Sequence, residues 1–256
     1  MRQMIICIAV ALLASACSAN QTPDQAQPER NEAIRSTPSP NQLNQPVPQD
    51  NKQSAGKTDK VLLDVAIIAQ NPELKYGCEV TSLTMLLNHA GVHVDKMKLA
   101  EELPKDMDPQ VKTKTGNITH WGNPENGFVG DITGKKSGYA VFDKPLEKLM
   151  RRYLPDRTVN LTGEPFADLL EQLRTGRPVV VWTTGDYKLP DRWEAWKHGN
   201  EIIKTPLDLH AVVLVGFDRN HVYVNDPLSG KKAHQVDMQT FKASWDALGK
   251  QALSYN

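Results

Sequence analysis

Residues 77–88 read Gly77-Cys78-Glu79-Val80-Thr81-Ser82-Leu83-Thr84-Met85-Leu86-Leu87-Asn88, which places a thiol where a loop gives way to a helix. Apolar side chains at positions 80, 83, 86, 87 and 90 fall on one helical face, because the α-helix repeats every 3.6 residues. Gly91 is the residue type that commonly ends a helix. The pattern predicts a helix over residues 78–90, with Cys78 in its first turn.

Cys78 stands in a position that favours chemistry at its sulfur. A free cysteine has a pKa of about 8.5, and a helix N-terminus together with a nearby imidazolium lowers it. Backbone N–H groups at the same helix start can also bind an oxyanion. We therefore expect a Cys78 thiol of lowered pKa that is alkylated rapidly at about pH 6. The alternative is a buried, inert cysteine that serves as a small apolar side chain.

Downstream, a histidine and an aspartate fit the roles of base and base-orienting group. His210 opens an apolar strand, and Asp226 follows sixteen residues later in the next strand. If the hairpin between them pairs Phe217 with His221, Asp226 lies opposite Val212 and one diagonal step from His210. A shift of one residue would put the two side chains on opposite faces of the sheet. The alternatives are a strand-start histidine satisfied by backbone groups and an aspartate that caps a turn.

Gln70, eight residues before Cys78, is a candidate oxyanion donor. Its amide and the backbone N–H of Cys78 could together bind the oxygen of a tetrahedral intermediate. Since Gln70 precedes Asn71-Pro72, it could equally cap a turn.

Three segments resemble a known family of peptidases. These are residues 77–88, the run His210-Ala211-Val212-Val213-Leu214-Val215-Gly216, and Asn225-Asp226-Pro227. They are similar to the bacteriocin-processing (double-glycine leader) cysteine peptidases of the papain clan, and most of all to stand-alone bacterial peptidase-like proteins of that group. The resemblance extends over about residues 61–245. It implies a papain-like cysteine peptidase fold and a catalytic set of Cys78, His210 and Asp226 with Gln70.

The order of elements predicts an α+β architecture, in which N-terminal helices pack on an antiparallel β-sheet. Helices are expected to begin at aspartates that serve as N-caps, namely Asp95, Asp143 and Asp237. Residues 105–140 lack periodicity and are expected to cross the surface as a long excursion. From His210 onward, apolar runs separated by turn residues predict a meander of three strands.

The N-terminal region has the pattern of a targeting segment. A short basic start and an apolar run from Ile5 to Leu13 precede Ala14-Ser15-Ala16-Cys17. Residues 1–17 are predicted to be a signal peptide with a lipobox-like cleavage site, at which Cys17 becomes lipidated. The alternative is an ordinary secretory signal, which would leave the protein secreted. Residues 18–60, rich in Gln, Pro and Asn, are expected to be a disordered tether, and residues 61–256 the papain-like domain.

The composition limits the classes of partner and cofactor that are expected. Lysine and arginine balance aspartate and glutamate at a formal net charge of +0, which gives no reason to expect nucleic acid. Three cysteines cannot form a disulfide framework. The histidines outside the proposed site have no second ligand at metal spacing, so neither a metal nor another cofactor is expected. These histidines are His89, His93, His120, His198, His221 and His234.

The sequence therefore predicts a membrane-anchored extracytoplasmic thiol hydrolase, monomeric, that cleaves a peptide or another amide substrate. One alternative is an acyltransferase that uses the same acyl-enzyme. Another is a non-catalytic binding or scaffold module on the same fold. Trp193 and Trp196 lie three residues apart in a polar stretch before His210 and are expected to form either a small satellite core or a wall of the substrate cleft.

Overall fold

The computed structural model describes residues 60–256. The predicted signal peptide, Cys17 and the predicted tether up to residue 59 lie outside the described residues. Within residues 60–256, no helix is both long and apolar enough to cross a membrane.

Five helices and thirteen strands form this part of the chain. The helices are α1 (Cys78–His89), α2 (Lys96–Glu102), α3 (Asp143–Tyr153), α4 (Phe166–Arg174) and α5 (Met238–Ala247). The strands are β1 (Val61–Leu62), β2 (Lys105–Asp106), β3 (Val111–Lys112), β4 (Ile118–His120), β5 (Phe128–Val129), β6 (Thr158–Asn160), β7 (Val179–Thr184), β8 (Trp193–His198), β9 (Glu201–Pro206), β10 (Leu209–Phe217), β11 (His221–Asp226), β12 (Lys231–Asp237) and β13 (Ala252–Tyr255).

An antiparallel sheet of seven strands forms the centre of the fold. Its order is β12-β11-β10-β7-β13-β6, with β1 paired to β10. Because side chains alternate along a strand, β10 serves two cores. Ala211, Val213 and Val215 pack with residues of α1 and α3, whereas Val212 and Leu214 pack with residues of α4 and α5. The antiparallel sheet therefore lies between two groups of helices, with α1 and α3 on one face and α4 and α5 on the other.

Helix α1 is the central helix of one layer. Its residues from Cys78 to Leu87 are all buried, including the polar ones. The helix ends as the sequence predicts, with Gly91 at φ +86°, a conformation that is unstrained only for glycine. The predicted caps at Asp95 and Asp237 are confirmed, since their carboxylates accept from Met97 N–H and Thr240 N–H.

Two predictions of local structure are wrong. Asp143 is the first residue of α3 rather than its cap, because the chain is still extended at Phe142. Residues 105–140 are not simply a surface excursion. Their short strands β3 and β4 join β8 and β9 in a four-stranded sheet, and β2 pairs in parallel with β5. These residues gave no periodic signal because the strands are only two or three residues long.

A third, smaller core lies between these sheets. Trp196 is almost fully buried there and packs against Trp121 and Tyr139, with ring centroids 5.7 and 5.4 Å away. Trp193 is 41% exposed, and its ring lies under the Lys204 ammonium. Trp196 therefore belongs to a small satellite core, which is one of the two arrangements expected for this tryptophan pair.

Candidate active site

Cys78 is the first residue of α1 and the only free cysteine among the described residues. Its side chain is buried, with 7% exposure. The preceding residue is glycine, Gly77, because a Cβ at that position would lie 2.5 Å from the Leu74 Cβ. Glycine thus lets the loop pack closely against Leu74 immediately before the helix begins.

The start of α1 is docked on β10 beside His210. The backbone N–H of Ala211 lies near the Cys78 sulfur and opposes the burial that raises the pKa of the thiol. One helical turn later, the Ser82 hydroxyl donates to the Ala211 carbonyl at 3.2 Å. Since residues four apart share a helix face, both contacts fix the same face of α1 to the same strand residue. The thiol is thereby held next to the backbone of the strand that carries His210.

The residue after the cysteine, Glu79, is fully buried and shares its carboxylate between two donors. One oxygen accepts from the Cys78 thiol at 3.2 Å, and the other accepts from the Val141 N–H at 2.9 Å. Burial raises the pKa of Glu79 to about 7, because a charged carboxylate is poorly solvated in the core. Glu79 was not among the sequence-predicted site residues. Its burial depends on Val141, which is distant in the sequence, so no local pattern marks it.

The environment of Cys78 contradicts the predicted low thiol pKa. Burial raises the pKa of the Cys78 thiol well above its usual value, and the negative charge of Glu79 raises it further. The Ala211 N–H opposes this shift without cancelling it. Within the described part of the chain, no hydrogen bond joins the Cys78 thiol directly to the His210 ring. The free site therefore holds a neutral thiol that donates to Glu79, and the expectation of a ready thiolate is wrong for this state.

The structure does bring His210 and Asp226 together. Both are buried, and His210 Nε2 lies 2.7 Å from Asp226 Oδ1. Asp226 also accepts from the Leu228 N–H and the Ser229 hydroxyl. Burial would raise the pKa of Asp226, but His210 and these two donors outweigh that effect and hold the pKa well below its usual range. An ionised Asp226 can fix the imidazole and stabilise its protonated form.

The hairpin between β10 and β11 reaches this geometry through a β-bulge. At the turn, Phe217 pairs with Val222, so the predicted Phe217–His221 pair is wrong by one residue. Beyond an irregularity between Leu214 and Gly216, Val213 pairs with Asn225, as the prediction requires. The extra residue on β10 therefore restores the predicted register at the end of the hairpin that carries His210.

Gln70 lies beside the loop that leads to Cys78, and its side chain is 2% exposed. The side-chain amide donates to the Lys75 carbonyl at 2.8 Å, and the backbone N–H donates to Pro227, next to Asp226. Its side-chain oxygen is buried without a partner. None of the hydrogen bonds among the described residues joins Gln70 to Cys78. One of its two amide hydrogens is thus committed to the Lys75 carbonyl.

Comparison with known proteins relates this arrangement to one family. Residues 62–253 match the Peptidase_C39 like family. The chain is 34% identical over 224 residues to the uncharacterized protein YvpB of Bacillus subtilis (strain 168), covering 83% of this chain and 85% of that protein. It is also similar to a crystal structure from Bacillus anthracis described as that of a C39-like peptidase. That similarity has a TM-score of 0.70 and 41% identity, over 77% of this chain and 97% of the other. The α+β fold is accordingly papain-like, as the sequence predicted.

Proposed function

Because the chain belongs to the Peptidase_C39 like family, we propose that it is a membrane-anchored extracytoplasmic thiol hydrolase that cleaves a peptide bond or another amide bond. The observation that carries this proposal is the buried His210–Asp226 pair, 2.7 Å apart. His210 lies on β10 next to Ala211, to which Ser82 of α1 donates, and Asp226 ends the neighbouring strand β11. A nucleophile, a base and a group that orients the base are the minimum that acyl transfer to a thiol requires.

The catalytic role of each residue follows from the hydrogen bonds that its atoms already make. Asp226 occupies Nε2 of His210, so Nδ1 is the ring nitrogen left to exchange a proton. Attack by Cys78 forms a carbon–sulfur bond to the substrate carbonyl, while the thiol proton passes to His210. The imidazolium then protonates the leaving amine as the carbon–nitrogen bond breaks. Water hydrolyses the thioester and returns the proton to the thiol. The Cys78 N–H and the free amide hydrogen of Gln70 would bind the oxyanion.

A neutral starting thiol fits this scheme with one further step. In the free site the Cys78 thiol donates to Glu79 at 3.2 Å. It has to leave that carboxylate and turn toward His210 before its proton can be transferred. Glu79 therefore keeps the site in a resting state until a substrate carbonyl is in place or the carboxylate is protonated.

An electrophilic peptide tests the chemistry without knowledge of the substrate. An epoxysuccinyl peptide is expected to alkylate Cys78 covalently, as located by peptide mass spectrometry, and the His210→Ala variant should lose most of the labelling. A proteome-derived peptide mixture incubated with the enzyme should give new termini that are absent with Cys78→Ala. Absence of both results in the wild-type protein would contradict the hydrolase assignment.

Experiments with the same protein, variants and peptides distinguish two other functions. Added amine acceptors that appear in the products would indicate an acyltransferase. The raised pKa of the Cys78 thiol is the observation that favours a non-catalytic binding module. That module predicts peptide binding without cleavage, and binding that Cys78→Ala leaves unchanged.

The proposed location rests on the sequence alone. Cys17 would carry the lipid anchor, and residues 18–60 would span the distance from the membrane to the domain. In this arrangement a monomeric enzyme acts on peptides or amides outside the cytoplasm. Nucleic acid is not a proposed partner.

A further inference from the structure

Two aspartates and two histidines come together where the central strands of the four-stranded sheet end. Asp106 ends β2 and Asp108 follows it. His120 and His198 end the neighbouring parallel strands β4 and β8, where His120 pairs with Lys197. The sequence-based expectation of no metal rested on the spacing of the histidines. In the fold, side chains from three separate segments come together, so the spacing of the histidines along the sequence does not exclude a metal site.

The separations between the donor atoms match a coordination sphere. His198 Nε2 lies 3.1 Å from Asp106 Oδ2 and 3.4 Å from Asp108 Oδ2. Single donor atoms of these three residues all lie within 4.8 Å of one another. Ligands at 2.0–2.2 Å from a tetrahedral ion are about 3.3–3.6 Å apart. The 3.4 Å separation is longer than an ordinary hydrogen bond.

The charge of the cluster also suits a cation. The Asp106 carboxylate accepts from the Asp108 N–H at 3.0 Å and from the Asn123 N–H at 3.1 Å, which fixes its position beside His198. Two carboxylates and one neutral imidazole would balance a divalent ion. His120 Nε2 also lies 3.4 Å from Asp108 Oδ2, so it can help to hold that ligand in place.

We propose that Asp106, Asp108 and His198 bind one divalent transition-metal ion of the Zn²⁺ class. Mixed imidazole and carboxylate donors select such ions over Ca²⁺ or Mg²⁺, which prefer oxygen alone. Asp108 keeps 45% of its side chain exposed, which gives the ion an entry path and room for a water ligand.

The position of the site suggests a structural role. An ion there would tie residues 105–108 to the end of β8. The β8–β9 hairpin continues from Pro206 toward His210, and Tyr139 donates to the Pro206 carbonyl at 2.7 Å. The metal would therefore brace the hairpin that leads into the strand of the proposed base.

Zn²⁺ titration tests the site directly. The test uses the full chain with its three cysteines replaced by serine, so that no thiolate can bind the metal. This protein is stripped of metal with a chelator and titrated with ZnCl₂ in a calorimeter. We expect one Zn²⁺ per chain and a rise in the melting temperature with added metal. Asp108→Asn and His198→Ala should each weaken binding more than about tenfold, and His120→Ala should weaken it less.

His221 supplies the matched control, since its ring pairs with Asp218 at 3.1 Å and makes no second ion pair with a carboxylate within residues 60–256. His221→Ala should bind Zn²⁺ like the parent chain. Circular dichroism verifies that each variant is folded, and the exposure of Asp108 makes Asp108→Asn the safest variant in this respect. No binding, or binding that survives both Asp108→Asn and His198→Ala, would overturn the proposal.

Discussion

His210 Nε2 lies 2.7 Å from Asp226 Oδ1 because of a β-bulge in the hairpin of β10 and β11. The bulge lies between the turn of this hairpin and the end that carries both residues. The register at the turn, with Phe217 opposite Val222, would carry Asp226 to a position opposite Val213. Side chains opposite one another share a face, so Asp226 would then face away from His210. One additional residue on β10 restores the shared face. The pairing of base and orienting group is therefore a property of strand register.

Removing the Asp226 charge should disable the proposed base while the hairpin remains intact. We expect Asp226→Asn to slow labelling of Cys78 by an epoxysuccinyl peptide by about 100-fold or more, because general-base catalysis typically contributes that much. The matched control is Asp218→Asn, which alters the other aspartate–histidine pair of the same hairpin, with His221. Equal labelling rates in the two variants would show that Asp226 does not orient the base.

The Glu79 charge should control the reactivity of the thiol. Burial and this charge both raise the pKa of Cys78, so wild-type protein lacking its N-terminal cysteines should react with iodoacetamide only at alkaline pH. Glu79→Gln keeps the shape and removes the charge, and it should move the alkylation profile to lower pH by about one unit or more. Glu164→Gln, at an exposed position, serves as the control.

A wild-type profile centred below about 8.5, the ordinary cysteine pKa, would restore the original sequence-based expectation. An unchanged profile in Glu79→Gln would mean that burial alone sets the thiol pKa.

The same carboxylate should also make the stability of the domain depend on pH. Glu79 has an ordinary pKa of 4.5 and a pKa of about 7 in the folded protein. Between these values the folded chain holds more protons than the unfolded chain, so the free energy of unfolding decreases as the pH rises. Glu79→Gln should therefore stabilise the domain at pH 8, by up to roughly 3 kcal/mol.

The gain should shrink toward pH 5, where Glu79 is protonated in the folded state. Urea unfolding at both pH values measures it. A gain that is the same at pH 5 and pH 8 would indicate a packing effect rather than a charge effect.

The parts of the fold with strong local patterns could be predicted from the sequence. Helix α1 has its apolar face and its glycine stop, and the apolar runs of β10 and β11 mark buried strands, so the types of these elements and the His210–Asp226 relation could be predicted. Other parts depend on partners distant in the sequence. The C-terminal strand β13 inserts between β7 and β6, and Glu79 becomes buried by pairing with Val141. Neither feature leaves a periodic or spaced signal along the chain.

Membrane attachment should depend on one sulfur in the N-terminal segment. Small residues precede Cys17, as in a lipoprotein cleavage site. We expect the protein to fractionate with membranes and Cys17→Ser to abolish this, because two or three acyl chains anchor a protein stably. Cys7→Ser, within the apolar run, is the control. Membrane retention of processed Cys17→Ser protein would contradict lipidation.

Gln70 should matter for attack on a carbonyl but not for alkylation of the thiol. Its amide donates to the Lys75 carbonyl, and the remaining hydrogen is the proposed oxyanion donor. Loss of one such donor typically costs about 100-fold in rate. Gln70→Ala should therefore lower kcat for amide cleavage by about that factor, whereas reaction with iodoacetamide, which forms no oxyanion, should keep its rate and pH profile. Gln110→Ala, in the loop between β2 and β3, is the control. If both reactions slow together in Gln70→Ala, the residue acts by holding the loop before Cys78, and the backbone N–H of Cys78 requires a different second donor.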